Sequence, residues 1–140
     1  MARVLGVDLG TRRIGLAVSD PSGTLAGPHE ILQRSGDPAA DRRAIVAAAR
    51  ELGATRIVVG LPRSLSGRDG PAARAARTEA AALATEAGPD LPVELHDERF
   101  STVTAQQSVR ASGARRKARR RPLDDVAAAV ILQSYLESRR

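Results

Sequence analysis

The chain of 140 residues contains no cysteine and only two aromatic residues, Phe100 and Tyr135. The absence of cysteine excludes a thiolate zinc site, an iron–sulfur cluster and a catalytic thiol, and it suits a reducing cytosol. Modules that read single-stranded nucleic acid by base stacking need several exposed aromatic rings, so an RRM-like or OB-like platform is excluded too. We therefore expect an aliphatic core of Val, Leu, Ile and Ala.

Long apolar runs are also missing from the sequence. No segment approaches the roughly 18 residues that a membrane helix needs, and the first residues lack the basic-then-apolar layout of a secretory signal. These absences predict a soluble, cytoplasmic protein. A length of 140 residues is typical of one domain with one core, so we expect a single domain over 1–140.

Positive charge is concentrated in one segment. The formal net charge is +6, from 22 Lys and Arg against 16 Asp and Glu. Seven basic residues and no acid lie in residues 110–121, which leaves 15 basic against 16 acidic residues elsewhere. Such dense like charge predicts a mobile loop that binds nucleic-acid phosphates, although a solvated surface loop would have the same composition. The candidate contacts in this loop are Arg115, Arg116, Lys117, Arg119, Arg120 and Arg121.

Hydrophobic patterning predicts three strands followed by helices that alternate with strands. Short apolar runs bounded by turn residues predict strands at 3–8, 14–19, 24–32, 57–60 and 92–96. Apolar residues at helical spacing, with caps and glycine or proline near the ends, predict helices at 38–52, 71–87, 101–111 and 123–138. This order is typical of an α/β fold around a mixed sheet.

Acidic residues follow two of the predicted strands and precede the last helix. Asp8 ends the first strand and Glu98 comes just after the last, and ligands of open α/β sheets bind at the carboxyl ends of strands. Asp124 and Asp125 precede the final helix. The aspartates have structural alternatives: Asp8 could cap a turn, and Asp124 or Asp125 could complement the helix dipole.

Together, Asp8, Glu98 and Asp124 suggest a carboxylate cluster. Gathered carboxylates repel one another, and a bound hard cation such as Mg²⁺ or Mn²⁺ relieves that repulsion. Two such ions about 3.5–4 Å apart activate water and stabilise the leaving oxygen in phosphodiester hydrolysis. The cluster therefore predicts a metal-dependent hydrolase.

Other catalytic schemes lack the residues they need. His29 and His96 are the only histidines, they lack metal-ligand spacing, and we interpret both as structural. Neither a nucleophile elbow nor a Walker A sequence is present. The glycine-bearing loop 60–70 carries Arg63 and Arg68, which are candidate phosphate contacts, although any long flexible loop has this composition.

Four blocks of sequence span nearly the whole chain: VDLGTRRIGLAVSD (7–20), GLPRSLSGRDG (60–70), DERFST (97–102) and PLDDVAAAVILQSYLE (122–137). In content and order they resemble the signature motifs of the pre-16S rRNA nuclease family, also described as Holliday-junction-resolvase-like. The resemblance implies a ribonuclease-H-like fold, with a mixed five-stranded central sheet whose first three strands are antiparallel and whose flanks carry helices.

The resemblance also implies a function and its residues. Members of the family are bacterial cytoplasmic nucleases that use a divalent metal to mature the 5′ end of 16S ribosomal RNA. By motif, Asp8 matches the metal ligand of the first strand, Glu98 the acid of the third block, and Asp124 the aspartate before the last helix. Asp125 is the alternative to Asp124 as third ligand. Arg99 matches a motif position and is a further candidate nucleic-acid contact.

Three other functions remain open at this point. The Asp-x-Gly-Thr sequence also resembles the phosphate loop of actin-like and sugar-kinase ATPases, but those proteins need two such domains to enclose a nucleotide. A DNA junction resolvase would use the same carboxylate chemistry. A non-catalytic nucleic-acid-binding factor in transcription or ribosome assembly would use the basic loop and leave the acids idle.

Overall fold

The computed structural model describes residues 2–63, 66–100 and 126–139. Within them, the strands are β1 (Arg3–Leu9), β2 (Arg13–Ser19), β3 (Ala26–Gln33), β4 (Ala54–Leu61) and β5 (Val93–Asp97). The helices are α1 (Pro38–Glu51), α2 (Pro71–Ala87) and α3 (Ala127–Ser138), and a 3₁₀ turn spans Glu98–Phe100. The predicted helix at 101–111, the basic loop 110–121, Asp124 and Asp125 lie outside the described residues.

The five strands form one mixed sheet in the order β3-β2-β1-β4-β5. β1 pairs antiparallel with β2, and β2 with β3, whereas β1–β4 and β4–β5 are parallel. This confirms the predicted five-stranded sheet with three antiparallel strands first. Pro28 is compatible with β3 because that strand lies at the edge and pairs beside a register shift, where a missing N–H is tolerated.

Local signals set the ends of the helices. The side chain of Asp37 caps α1 by accepting a hydrogen bond from the backbone N–H of Ala39 at 3.1 Å, and Pro38 occupies the first helical position. Gly53, with φ of +70°, supplies the left-handed residue that ends this segment. The span predicted for the second helix, 71–87, is confirmed by α2.

Strand alternation gives the sheet two different faces. Leu5 and Val7 of β1 point to the face covered by α1 and α2, in a core cluster that contains Ile45 and Leu83. Intervening positions of β1 point to the opposite face, which α3 covers. Asp8 belongs to this second set, so its side chain emerges on the α3 face.

Helix α3 lies unusually close to the sheet. A Cβ at Gly6 would be 2.8 Å from Leu132 Cβ, so only glycine permits this approach. The buried Gln133 side chain accepts a hydrogen bond from the backbone N–H of Ala26 at 2.8 Å and donates one to the carbonyl of Thr24 at 3.1 Å. These contacts fix α3 along the face that carries Asp8.

Each helix among the described residues is too short or too polar to cross a bilayer.

Candidate active site

Asp8 is the next-to-last residue of β1, at the carboxyl end of a central strand. Its cross-strand partner in β2 is Gly15, and a Cβ at that glycine would lie 3.7 Å from Asp8 Cβ and 3.6 Å from Ala128 Cβ. The Asp8 side chain is therefore enclosed between β2 and the start of α3. Burial raises the pKa of the Asp8 carboxyl above its ordinary value.

Glu98 opens the 3₁₀ turn directly after β5. Its carboxylate lies over β4, the strand between β1 and β5, because a Cβ at Gly60 would be only 3.1 Å from Glu98 Oε2. Burial raises the pKa of Glu98, and the negative charges of Asp8 and Asp97 raise it further. The structure thus brings Asp8 and Glu98, 90 positions apart in the chain, into electrostatic contact; we call them the carboxylate pair.

A glycine lies next to each acid of the carboxylate pair. Gly15 lies beside Asp8 on β2, and Gly60 lies in the gap on β4 that the Glu98 carboxylate enters. A side chain at Gly60 would fill that gap. Burial raises the pKa of both acids, and the charge of Asp8 adds to the rise at Glu98. Together they form an oxygen-rich site that suits a hard divalent cation.

The described residues supply only part of a metal site. Among residues 2–63, 66–100 and 126–139, no group of three or more metal-ligating side chains comes together. The predicted third ligand, Asp124 or its neighbour Asp125, lies outside these ranges. The carboxylate pair therefore fits a cation that takes at least one further ligand from elsewhere, and the three-acid set stays a prediction.

Asp97 adjoins the carboxylate pair but has cationic partners. It accepts hydrogen bonds from Arg99 Nη2 at 2.7 Å and Nε at 2.9 Å, and Arg63 Nη1 lies 3.5 Å away. The hydrogen bond from the Arg99 side chain is the main reason that the pKa of Asp97 falls below its ordinary value. Asp97 is thus an ionised acid whose charge is balanced by two arginines at the end of β5.

The arginines predicted to contact nucleic acid fall into three groups. Arg63 and Arg99 bind Asp97, and Arg63 also forms an ion pair with Asp69 at 3.0 Å. Arg68 is exposed in the same loop. The six basic residues of the 115–121 segment lie outside the described residues. Contact of any of them with nucleic acid stays a prediction, but Arg63 and Arg99 also fasten the loop after β4 to the end of β5.

A cleft of about 340 Å³ opens beside Asp8. Its walls are Asp8, the turn at residues 10–13, Gly15 and Ile31. Thr11, Arg12 and Arg13 of this turn are not among the site residues predicted from the sequence. The sequence feature that could have indicated them is the pair of adjacent arginines that follows Gly10-Thr11 within the first family block.

His96 lies in the core behind the site. Its Nε2 is 2.9 Å from Ser134 Oγ on α3, and its ring meets the Tyr135 ring edge to face at 5.8 Å between centroids. Burial lowers the pKa of His96, which favours the neutral imidazole. These contacts join β5 to α3.

Two solved structures share this architecture. A Thermus thermophilus RuvC in complex with a Holliday junction substrate superposes with a TM-score of 0.62 at 17% identity, covering 99% of this chain and 96% of that one. A second T. thermophilus RuvC structure gives a TM-score of 0.61 at 16% identity, covering 98% and 95%. With its mixed sheet and an acid at the end of the first strand, the chain has the ribonuclease-H-like fold.

Sequence comparison defines the family. The model of the family described as "RuvX: Holliday junction resolvase" matches residues 2–138, and the chain belongs to this family. Similar proteins include one from Streptomyces coelicolor, 49% identical over 138 residues (99% of this chain, 81% of that protein), and one from Leifsonia xyli, 48% identical over 136 residues (97% and 86%). Both carry the name "Putative pre-16S rRNA nuclease". The predicted resemblance is confirmed.

Proposed function

We propose that this protein is a divalent-metal-dependent nuclease that hydrolyses phosphodiester bonds during 5′-end maturation of 16S ribosomal RNA in the cytoplasm. The names of its relatives support the substrate. The observation that carries the chemistry is the carboxylate pair: Glu98 lies against Gly60 of β4, within electrostatic reach of Asp8, and both acids have raised pKa values.

The carboxylate pair would hold Mg²⁺ or Mn²⁺ together with Asp124 or Asp125. When bound, the cation supplies a Lewis acid for the scissile phosphate and lowers the pKa of a water molecule. Both acids lie at the carboxyl ends of their strands, where Gly60 lets the Glu98 carboxylate approach β4 closely, so the scissile phosphate would bind at this edge of the sheet. Burial of both acids strengthens their attraction for a cation relative to an exposed pair.

An anionic site repels a polyanionic substrate, so the enzyme needs cations elsewhere. The segment 110–121 holds seven basic residues and would bind phosphates of the RNA backbone. Arg63, Arg68 and Arg99 border the site from the loop after β4 and the end of β5. We include all of these among the nucleic-acid contacts of the proposed enzyme.

A DNA junction resolvase is the second candidate. The description of the matching family, "Holliday junction resolvase", favours it. The same carboxylate pair would serve either substrate, because the chemistry of phosphodiester hydrolysis is shared between RNA and DNA.

One experiment separates these functions. The pure protein is incubated with a precursor 16S RNA fragment and, in parallel, a four-way DNA junction, each with Mg²⁺, with Mn²⁺ and with a chelator. We expect metal-dependent cleavage of the RNA. Preferential cleavage of the junction would establish the resolvase instead. Failure to cleave either substrate would leave a non-catalytic binding factor and overturn the nuclease proposal.

The variant Asp8→Asn tests the site within the same experiment. It should abolish cleavage while RNA binding persists, because the amide retains the shape of the side chain but loses the charge that holds a cation. Asp90→Asn is the matched control, since Asp90 is a surface acid whose partner is Arg50. Asp124→Asn and Asp125→Asn, measured side by side, identify the third ligand by which one loses activity.

A further inference from the structure

The turn between β1 and β2 is held rigid at the edge of the Asp8 cleft. The backbone N–H of Gly10 donates to the carbonyl of Arg13 at 2.9 Å, which closes the turn. Arg34, just after β3, donates from Nε to the Gly10 carbonyl at 2.7 Å and from its backbone N–H to the Arg12 carbonyl at 2.9 Å. A Cβ at Gly10 would be 2.6 Å from the Arg13 carbonyl oxygen, so this turn requires glycine there.

Arg12 and Arg13 stand on this rigid turn with uncompensated charge. Both residues are exposed, and within the described part of the chain neither guanidinium has a carboxylate partner. Several other arginines in the same part do have a carboxylate partner, for example Arg42 with Glu79, Arg50 with Asp90 and Arg56 with Glu94. Two adjacent unpaired guanidiniums in a fixed turn attract an anion.

The cleft beside the turn brings Asp8 and the two arginines to one depression of the surface. Its volume of about 340 Å³ lies at the low end of the range for small-molecule pockets, about 300–1,000 Å³. Thr11, Arg12 and Arg13 of the turn line it together with Asp8. An anion bound in the cleft would therefore lie close to the arginines of the turn. It would also lie close to Asp8, the acid that the proposed function assigns to catalysis.

We propose that Arg12 and Arg13 form a binding site for a backbone phosphate of the nucleic acid, next to the phosphate that is cleaved. The proposal rests on the nuclease function for its ligand, a phosphodiester chain. Planar guanidinium groups bind phosphate oxygens through two parallel hydrogen bonds. Arg34 acts as a positioning residue, because its donors go to the backbone of the turn and hold the two arginines at the rim of the cleft.

The test measures binding separately from cleavage. The dissociation constant of a labelled precursor 16S RNA fragment is measured in a chelator, over a series of salt concentrations, for Arg12→Ala, Arg13→Ala and the double variant. We expect each single variant to bind about tenfold more weakly, as loss of a charge-assisted hydrogen bond predicts. The slope of log affinity against log salt should fall by about one for each arginine removed.

Arg43→Ala is the matched control, because Arg43 is exposed on α1 and α1 covers the other face of the sheet. It removes the same charge and should leave affinity within about twofold. Arg12→Lys and Arg13→Lys should recover part of the affinity, since a lysine keeps the charge but loses the two-pronged geometry. The melting temperature of each variant shows that its fold is intact.

The outcomes distinguish this inference from the nuclease proposal. If Arg12→Ala and Arg13→Ala match Arg43→Ala in affinity and salt slope, the phosphate site is overturned, whether or not the wild-type protein cleaves RNA. If the wild-type protein cleaves nothing but the two variants bind more weakly than the control, the phosphate site stands and the nuclease proposal fails.

Discussion

Two clusters at opposite ends of the α3 face each contain a glutamate, and the two glutamates have different roles. At the carboxyl ends of the strands, Glu98 lies beside Asp8 and close to Gly60. Near the start of β5, Glu94 accepts a hydrogen bond from Tyr135 Oη at 2.6 Å. It also lies 3.3 Å from Arg56 and 2.9 Å from Arg139. We call Arg56, Glu94, Tyr135 and Arg139 the α3 anchor.

The two glutamates differ in the direction of their pKa shifts. Burial raises the pKa of Glu98, and the charges of Asp8 and Asp97 add to it. Burial also acts to raise the pKa of Glu94, but hydrogen bonds from Tyr135 and Arg139 and the charge of Arg56 outweigh it, so the pKa is lowered. The difference teaches that an acid with cationic partners fastens a helix, whereas an acid facing another acid is available for a cation.

The largest predicted effect is on the cleavage rate, when each of these glutamates is replaced separately by glutamine. Glu98→Gln should lower metal-dependent cleavage by at least about a hundredfold, because it removes one charge of the carboxylate pair. Glu94→Gln, the matched change on the α3 anchor, should leave the cleavage rate per folded molecule nearly unchanged. Single-turnover cleavage of precursor RNA, at saturating Mg²⁺, measures both. Equal losses in the two variants would contradict the division of roles.

A second prediction concerns the glycine that makes room for Glu98. In Gly60→Ala, the new Cβ would lie 2.7 Å from Ile131 Cδ1 and 3.1 Å from Glu98 Oε2, so the Ile131 side chain and the Glu98 carboxylate must shift. We expect the free energy of unfolding to fall by about 1–3 kcal/mol. Cleavage by the folded fraction should fall about tenfold, because displaced catalytic groups react more slowly.

Gly15→Ala is the stability control for that change. Its Cβ would meet Ala128 Cβ at 3.6 Å and Asp8 Cβ at 3.7 Å, which are ordinary contacts. Urea denaturation should therefore show a change within about 0.5 kcal/mol for this variant. If Gly60→Ala is equally mild, the close fit of Glu98 against β4 is wrong.

The smallest effect is the pH dependence of the α3 anchor. Because the pKa of Glu94 in the folded protein is below its ordinary value of 4.5, its carboxylate stabilises the fold above that pH, and the contribution disappears as pH falls through the lowered pKa. Wild-type protein should thus exceed Glu94→Gln in stability at pH 7, by up to about 1 kcal/mol for partly exposed pairs. The difference should narrow as the pH falls below 4.5.

Urea denaturation of both proteins at pH 7 and pH 3 measures this difference. A gap that is the same at both pH values would show that the charge of Glu94 does not matter. The carboxylate pair should have the opposite effect on the pH dependence of stability. Because the pKa values of Asp8 and Glu98 are raised in the folded protein, their ionisation makes the fold less stable as pH rises.

Much of the fold was predictable from local patterns. The span of α2 and the cap of α1 were predicted correctly because glycine, proline and aspartate act on their immediate neighbours. Asp8 and Glu98 were predicted as site residues because both lie at the ends of apolar runs and match the family motifs. The pairing of Arg63 and Arg99 with Asp97 was not predicted, since nothing in a linear pattern states which charges meet across strands.

The amino-acid sequence by itself determined the order of strands and helices, the aliphatic core and the presence of acids at strand ends, because these depend on period, propensity and residue type. Only the tertiary structure decided which acids are neutralised and which face each other. It also placed Arg12 and Arg13 at the rim of the cleft beside Asp8. The physical reason is that electrostatic interaction depends on distance and burial, and both are set only when the sheet pairs and α3 packs onto it.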